Sequence, residues 1–376
     1  MKTIKRTGAR LILASGLWLL ATGDGWAATV NLRADVFTIP AWTLGTNQTT
    51  PITMWGFDTT DGTFTAPTGP WSPVVITANE GDTLDLYLQN DLSGPFTEPV
   101  SIIIPGQTPV LTDGAWPCWT DGTCGPRGSD LTKRVRSLTS ETSLGATALY
   151  SFTNLKPGIY LIESGTHPAV QVQMGLYGVL KVNAATAGQA YDDPSTAYDS
   201  EATLLFSEID PVLHDAVASG QYGPNDTPPA GWLTSTVHYH PKYFLIDGQP
   251  YPGDLSALPA VNQGDRVLLR LLNAGLDTKV PAAEGVGTTA RSTQTNAAEF
   301  LSLIAEDGNL MTATDASGTT LATPHAQYAV MLPAGKTMDA ILTPATAGSV
   351  AIYDRRLNLT NNGVTPGGML AEMTVN

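Results

Sequence analysis

Cysteine is scarce: the 376-residue chain contains only Cys118 and Cys124, six positions apart. In an oxidising compartment, an isolated close pair of this kind is most simply a disulfide that closes a small loop. The alternative is a copper or redox role, which would need a neighbouring histidine or an electropositive setting. No histidine lies near either cysteine in the sequence, so we predict a Cys118–Cys124 disulfide.

Charged residues are also few, at 14%, and basic ones are outnumbered, with 19 Lys and Arg against 34 Asp and Glu. The resulting net charge of −15 repels phosphate backbones, and no basic patch stands out. Nucleic-acid binding is therefore excluded. The sequence also lacks a Gly-x-Ser-x-Gly elbow, a P-loop and a His-Glu-x-x-His motif, so it carries no signature of those enzyme classes.

Long apolar runs are missing after the first one, which extends from Leu11 to Ala21. Basic residues precede this run and small residues follow it, which predicts a signal peptide over residues 1–27, cleaved after Ala27 or one residue later. The run is short for a bilayer span, although an uncleaved anchor is the alternative. We expect a mature chain of net charge −18 that is soluble and extracytoplasmic, in the periplasm or secreted.

Helical periodicity is nearly absent, except for a turn or two around residues 211–219. Glycine (37) and proline (27) punctuate strand-like runs rich in threonine and valine. This pattern predicts an all-β fold of Greek-key sandwiches or barrels, and the length suggests two domains.

The chain repeats itself. Residues 76–90 match residues 259–273, which pairs Gly81 with Gly264 and Asn90 with Asn273 at an offset of 183. A second match follows at an offset of 190, and residues 178–183 end the first copy much as residues 371–376 end the second. We therefore predict a tandem duplication, with domains at 28–183 and 201–376 joined by a polar linker at 184–200.

The stretch from Gly158 to Asn183 reads as two strands around a loop that holds His, Glu, Met and two Gln residues. Its ending, Met174-Gly-Leu-Tyr-Gly178, resembles the cupredoxin domains of multicopper oxidases, as do the Gly-Asp strands and the run Tyr243-Phe-Leu-Ile-Asp-Gly-Gln-Pro-Tyr251. Residues 354–362 and 367–370 resemble a bacterial subgroup of that family. The resemblance covers essentially the whole mature chain and implies two tandem cupredoxin-like Greek-key β-sandwich domains.

Most copper ligands of that family have no counterpart here. A complete oxidase uses about eight imidazoles and a cysteine, whereas this chain has five histidines: His167, His214, His238, His240 and His325. The resemblance places the first His-x-His motif at Ile102 and Ile104, and the second at Gly165 and His167. The two C-terminal motifs are missing from this chain, so the resemblance implies degenerate copper centres.

Two weak metal sites remain as candidates. His167 and Glu163, aided by Ser140 or Gln171, would form a two-ligand site; the alternative is a loop histidine bonded to backbone. His238 and His240 would lie on one strand face and chelate a metal if a third ligand arrived; the alternative is two exposed histidines. Transition-metal sites normally use three or more protein ligands.

The sequence thus predicts a secreted two-domain cupredoxin with a binding or structural role, and copper bound weakly or not at all. The first alternative is a copper-dependent oxidoreductase that uses a residual site or a partner subunit. The second is an extracytoplasmic protein that sequesters copper. A partner protein or a homo-oligomer is compatible with each, and the sequence identifies neither.

Overall fold

The computed structural model describes residues 27–67, 69–95, 98–110, 117–126, 132–253, 258–287, 297–318 and 320–376. The predicted signal peptide lies outside these residues, apart from Ala27, which begins the first strand. Within the described ranges, no helix has the length and apolar character needed to cross a bilayer.

The described residues form strands joined mostly by turns, which confirms the all-β prediction. The strands are β1 (Ala27–Ile39), β2 (Ile52–Thr60), β3 (Val74–Asn79), β4 (Thr83–Asn90), β5 (Cys118–Trp119), β6 (Val135–Ser137), β7 (Thr147–Phe152), β8 (Gly158–Glu163), β9 (Tyr177–Asn183), β10 (Ser200–Ile209), β11 (Tyr243–Ile246), β12 (Val267–Asn273), β13 (Pro281–Gly287), β14 (Ala297–Glu299), β15 (Leu301–Glu306), β16 (Asn309–Leu310), β17 (Thr312–Thr314), β18 (Thr320–Ala322), β19 (His325–Gln327), β20 (Thr337–Leu342), β21 (Gly348–Asp354) and β22 (Leu370–Val375). The helices are α1 (Pro168–Met174) and α2 (Pro211–Ala218), with single 3-10 turns at Pro194–Thr196 and Thr236–His238.

The first half of the chain builds two sheets that face each other. One has the strand order β2-β1-β4-β7 and the other β3-β9-β8. In β4 every second side chain is buried, as expected for a strand with one face on a core. The leucines of β4 pack with Ile76, Leu180 and Tyr160 from the second sheet, so the core lies between the two layers.

The second half also builds two sheets, and the first of them matches the first sheet of the first half. Its first sheet contains the order β11-β10-β12-β20, and its second has β14-β13-β21-β22. In both halves the central strands pair in parallel (β1 with β4, β10 with β12), while the outer pairings are antiparallel. A separate apolar cluster fills this half, centred on β12, β20 and β22.

A third apolar layer joins the halves. Leu161 and Val179, on the outer face of β8 and β9, pack in one cluster with Leu205 and Leu272 of the second half. The predicted linker is also packed: Tyr191 is buried, and its hydroxyl donates to Asp339 Oδ2 at 2.6 Å. The two halves are therefore held together over a broad contact.

The loop predicted between β8 and β9 is instead a short helix, α1, and that part of the prediction was wrong. Pro168 starts the helix, and Gly175 ends it with a left-handed φ of 117°. A Cβ at Gly175 would lie 2.2 Å from the carbonyl oxygen of Trp55, so only glycine fits. Seven residues show too few apolar repeats for a helical period to stand out from a loop.

Two other predictions are confirmed. Helix α2 occupies the one region where a helical turn was expected, with Asp210 as its N-cap. Cys118 and Cys124 form a disulfide. The short strand β5 that contains Cys118 pairs with β6, and Ser137 of β6 forms a backbone bridge with Thr166, next to His167.

Candidate functional site

His167 is the side chain on which the sequence hypotheses converge, and the structure places it immediately before α1. Its backbone is left-handed (φ 39°, ψ 58°), and its amide donates to the Arg136 carbonyl at 3.0 Å. Its Nδ1 donates to Glu98 Oε2 at 2.7 Å, and 39% of the side chain is exposed. The hydrogen bond that His167 donates to Glu98 raises the pKa of His167, against the opposing effect of burial.

Glu98 was missed by the sequence reasoning, because it lies 69 positions from His167 in a segment without a motif. Gln171 of α1 holds the Glu98 carboxylate in place. Gln171 Nε2 donates to Glu98 Oε2 at 3.4 Å and to the Pro99 carbonyl at 2.9 Å. The Ser164 hydroxyl extends this series of hydrogen bonds by donating to Gln171 Oε1 at 2.6 Å. Gln171, predicted as an auxiliary ligand, here orients the carboxylate that holds the histidine.

Glu163 stands at the end of β8, and its backbone pairs with that of Ile103. Burial raises the pKa of its carboxyl to about 7. The carboxylate that His167 contacts is that of Glu98, and Arg136 and Glu141 also act on the pKa of His167. The predicted pairing of His167 with Glu163 stays a prediction, since the structure gives His167 another carboxylate.

Three hydroxyls meet beside this histidine. Ser101, Ser137 and Thr166 are completely buried, and their oxygens form a closed triangle with sides of 3.0 to 3.2 Å. Each hydroxyl has a hydrogen-bonded neighbour, so the buried groups satisfy one another. A Cβ at Gly165 would lie 3.1 Å from Ser101 Oγ and 2.9 Å from Ile103 Cγ2, so these two side chains face the Gly165 position.

The neighbouring isoleucines point elsewhere. Ile102 and Ile104 belong to the hydrophobic core of the first half and are 1% and 3% exposed. Neither alternating pair, Ser101 with Ile103 or Ile102 with Ile104, offers an imidazole or thiolate. Copper is held by those donors, so the side chains around His167 do not fit a multi-copper centre.

The second predicted pair has a different local structure. His238 ends a 3-10 turn (Thr236–His238) rather than entering a strand, so the expectation of one strand face was wrong. Both imidazoles are exposed, and the His240 amide donates to Asp210 Oδ2 at 2.9 Å. Asp210 is also the N-cap of α2. A metal role for His238 and His240 remains a prediction.

The two other histidines are separate from these sites. His214 is fully buried in α2, donates from Nδ1 to the Thr53 carbonyl at 2.6 Å, and has its pKa lowered by burial. His325 is exposed in β19. Among the described residues, no group of three or more His, Cys, Asp or Glu side chains is arranged to hold a metal ion.

Solved structures of copper proteins share this fold. The chain superposes on the blue copper oxidase from Nitrosomonas europaea with a TM-score of 0.61, at 18% identity over 93% of this chain and 86% of that one. The multicopper oxidase mgLAC superposes with a TM-score of 0.61, at 17% identity over 94% of this chain and 87% of that one. The copper nitrite reductase from Nitrosomonas europaea superposes with a TM-score of 0.56, at 17% identity over 93% of this chain and 94% of that one.

These likenesses confirm the cupredoxin-type fold of the multicopper oxidases. No family model matches the sequence, and no curated protein resembles it significantly.

Proposed function

We propose that this chain is an extracytoplasmic protein with degenerate copper centres, whose role is binding or scaffolding rather than four-copper oxidation. The observation that carries the proposal is the composition of the ligand positions. Ile102 and Ile104 are core side chains, and Ser101 and Ile103 face Gly165. A protein that kept a copper reaction would keep imidazoles there.

The location and history of the chain belong to the same proposal. The basic, apolar and small-residue segments of residues 1–27 support export, and the Cys118–Cys124 disulfide fits an oxidising compartment. The matching strand orders β2-β1-β4-β7 and β11-β10-β12-β20 support a tandem duplication with domains at 28–183 and 201–376. In this role the chain would bind a partner protein or a second copy of itself.

Weak copper sequestration at His167 is the second candidate. Glu98 holds Nδ1 of this imidazole and leaves the half-exposed ring with Nε2 as its other donor atom. Metal-bound histidines characteristically donate their other ring nitrogen to a carboxylate in this way. One imidazole is a small donor set, so the expected affinity is low.

Copper loading tests both candidates. The purified mature protein is incubated with Cu(II), desalted, and measured by elemental analysis, visible absorption and oxidase assay. We expect less than one copper per chain, no intense blue Cu–thiolate band and no oxidase activity. His167→Ala and the control His325→Ala separate specific from surface binding.

Stoichiometric copper that His167→Ala removes and His325→Ala retains would favour sequestration. A blue band, or oxidase activity after copper loading, would overturn the proposal in favour of the oxidoreductase.

A further inference from the structure

A cavity of about 410 Å³ lies beside the strand that carries Ser101 and Ile103. Its apolar lining includes Ile103, Pro109 and Val110, while Ile102, Ile104 and Phe152 lie behind it in the core. Leu138 and Leu149 also line it and are 54% and 48% exposed, so they mark its mouth. Exposed leucines gathered at a cavity entrance are typical of a binding site rather than of an ordinary surface.

The backbone around the cavity is held on several sides. Ile103 pairs with Glu163, and the Leu138 amide donates to the Gly165 carbonyl at 2.9 Å. Pro109 pairs with Phe152 of β7 on another side. These contacts fix the backbone segments that line the cavity, as in a preformed site.

The polar groups of the lining are mostly occupied. The Gln107 side chain is bonded at both ends to the backbone of Lys156, at 2.9 and 3.1 Å. The Tyr150 hydroxyl bonds Thr142 and donates to the Ser140 carbonyl, both at 2.9 Å. Among the described residues, the side-chain hydroxyls of Thr139 and Ser140 have no hydrogen-bond partner.

Charge is missing from this wall: among its described residues, none is acidic or basic. An ionised ligand would lose its hydration without gaining a counter-charge, which disfavours carboxylates and ammonium groups. The acidic chain as a whole further disfavours anions. The chemistry of the wall thus selects a neutral ligand.

We propose that this cavity binds a small, uncharged molecule that combines an apolar part with a hydrogen-bonding group that reaches Thr139 or Ser140. The cavity is more than twice the roughly 150 Å³ of a site that holds one benzene, so it suits a ligand of about ten to fifteen carbon atoms. The inference rests on the proposed binding role and names a ligand class for it.

The test uses the uncharged fluorescent probe N-phenyl-1-naphthylamine with the mature, metal-free protein. We expect a saturable signal at one probe per chain. 1-Decanol should displace the probe, and decanoate, which has the same chain length and a charge, should compete about tenfold or more weakly at pH 8. Equal competition by both compounds, or a signal that does not saturate, would overturn the inference.

Variants locate the binding. Leu149→Asp places a charge at the mouth and should weaken the probe about tenfold or more, whereas the equally exposed Leu321→Asp should change affinity less than about twofold. Ser140→Trp fills the cavity without adding charge and gives a second readout if Leu149→Asp unfolds. Wild-type affinity in folded Ser140→Trp would contradict the proposed location.

The copper experiment and the probe experiment test the two proposals separately. Stoichiometric copper with intact probe binding would overturn the copper-independent role and leave the cavity inference standing. A chain that binds neither copper nor probe would overturn the cavity inference alone.

Discussion

His167 and Glu98 show how much a single contact changes the meaning of a residue. The carboxylate holds Nδ1 at 2.7 Å and raises the pKa of His167. The protonated imidazole therefore stabilises the fold at pH values below its ordinary pKa of about 6.5, and that stabilisation is lost as the pH rises through the raised pKa.

Glu98→Gln should lower the pKa of His167, because the amide keeps a hydrogen-bonding group and removes the charge. The measurement is an NMR titration of the His167 ring in the wild type and the variant. Glu372→Gln, on an exposed position of β22, is the matched control. An unchanged titration curve in Glu98→Gln would show that the contact does not form in solution.

In Glu163, unlike His167, the charged form of the side chain is the one that the fold destabilises. Burial raises the pKa of its carboxyl to about 7, so ionising it opposes folding. The folded state is penalised progressively as the pH rises from about 4.5, where the unfolded carboxyl ionises, to about 7, and the penalty is complete above that value.

Glu163→Gln should therefore gain stability relative to the wild type between pH 5 and pH 8, by at most about 2–3 kcal/mol. Urea unfolding at the two pH values measures this difference. In Glu284, hydroxyl donors from Tyr328 and Tyr353 lower the pKa instead. Glu284→Gln should consequently lose stability relative to the wild type as the pH rises to about 4.5, where the unfolded carboxyl ionises, and should change little between pH 5 and pH 8. A gain between pH 5 and pH 8 in Glu284→Gln as large as that in Glu163→Gln would contradict the assignment.

At the scale of elements, each half has an asparagine at the end of an equivalent strand, and its side chain donates to two backbone carbonyls. Asn90 ends β4, and its side-chain amide donates to the carbonyls of Glu98 and Thr142 at 3.0 and 3.1 Å. Asn273 ends β12 and donates to the carbonyls of Asp277 and Leu332 at 2.8 and 2.9 Å. Each amide therefore ties the strand end to two separate segments.

Replacing either asparagine with alanine should cost about 2–4 kcal/mol of unfolding free energy, because buried carbonyls lose their donors. Asn309 also donates to two carbonyls, but it is exposed, so Asn309→Ala should cost less than about 1 kcal/mol. Chemical denaturation of the three variants provides the comparison. A large difference between Asn90→Ala and Asn273→Ala would contradict their structural equivalence.

At the scale of the molecule, the two halves are tied by more than a tether. The predicted linker at 184–200 reads as polar, yet Tyr191 is buried against Asp339, which also contacts Arg270 of β12 at 3.4 Å. Thr196 holds the linker in shape: its hydroxyl accepts from the Tyr191 amide at 3.1 Å and donates to the Asp193 carbonyl at 2.7 Å.

Native protein should therefore resist thermolysin between residues 184 and 200. Thr196→Ala should raise the cleavage rate there roughly tenfold, about the effect of one lost hydrogen bond. Mass spectrometry of the fragments identifies the cut, and Thr374→Ala on the exposed side of β22 is the control. Rapid cleavage of the wild-type linker would indicate two loosely joined domains.

The sequence by itself determined the features that depend on near neighbours along the chain. Glycine-aspartate turns, alternating strands such as β4 and the Cys118–Cys124 pair leave local patterns, and the structure agrees with each. The resemblance to cupredoxins rested on such patterns, so the fold class was predictable. The number of histidines was likewise readable without coordinates.

Only the tertiary structure decided what surrounds His167. Glu98 and the hydroxyls of Ser101 and Ser137 come from positions 29 to 69 residues away from the loop, and isolated polar side chains carry no signal of their partner in the sequence. Which neighbours of Ile103 turn into the core depends on how β8 pairs with its segment. The cavity arises in the same way, since its walls come from three separate segments that only folding brings together.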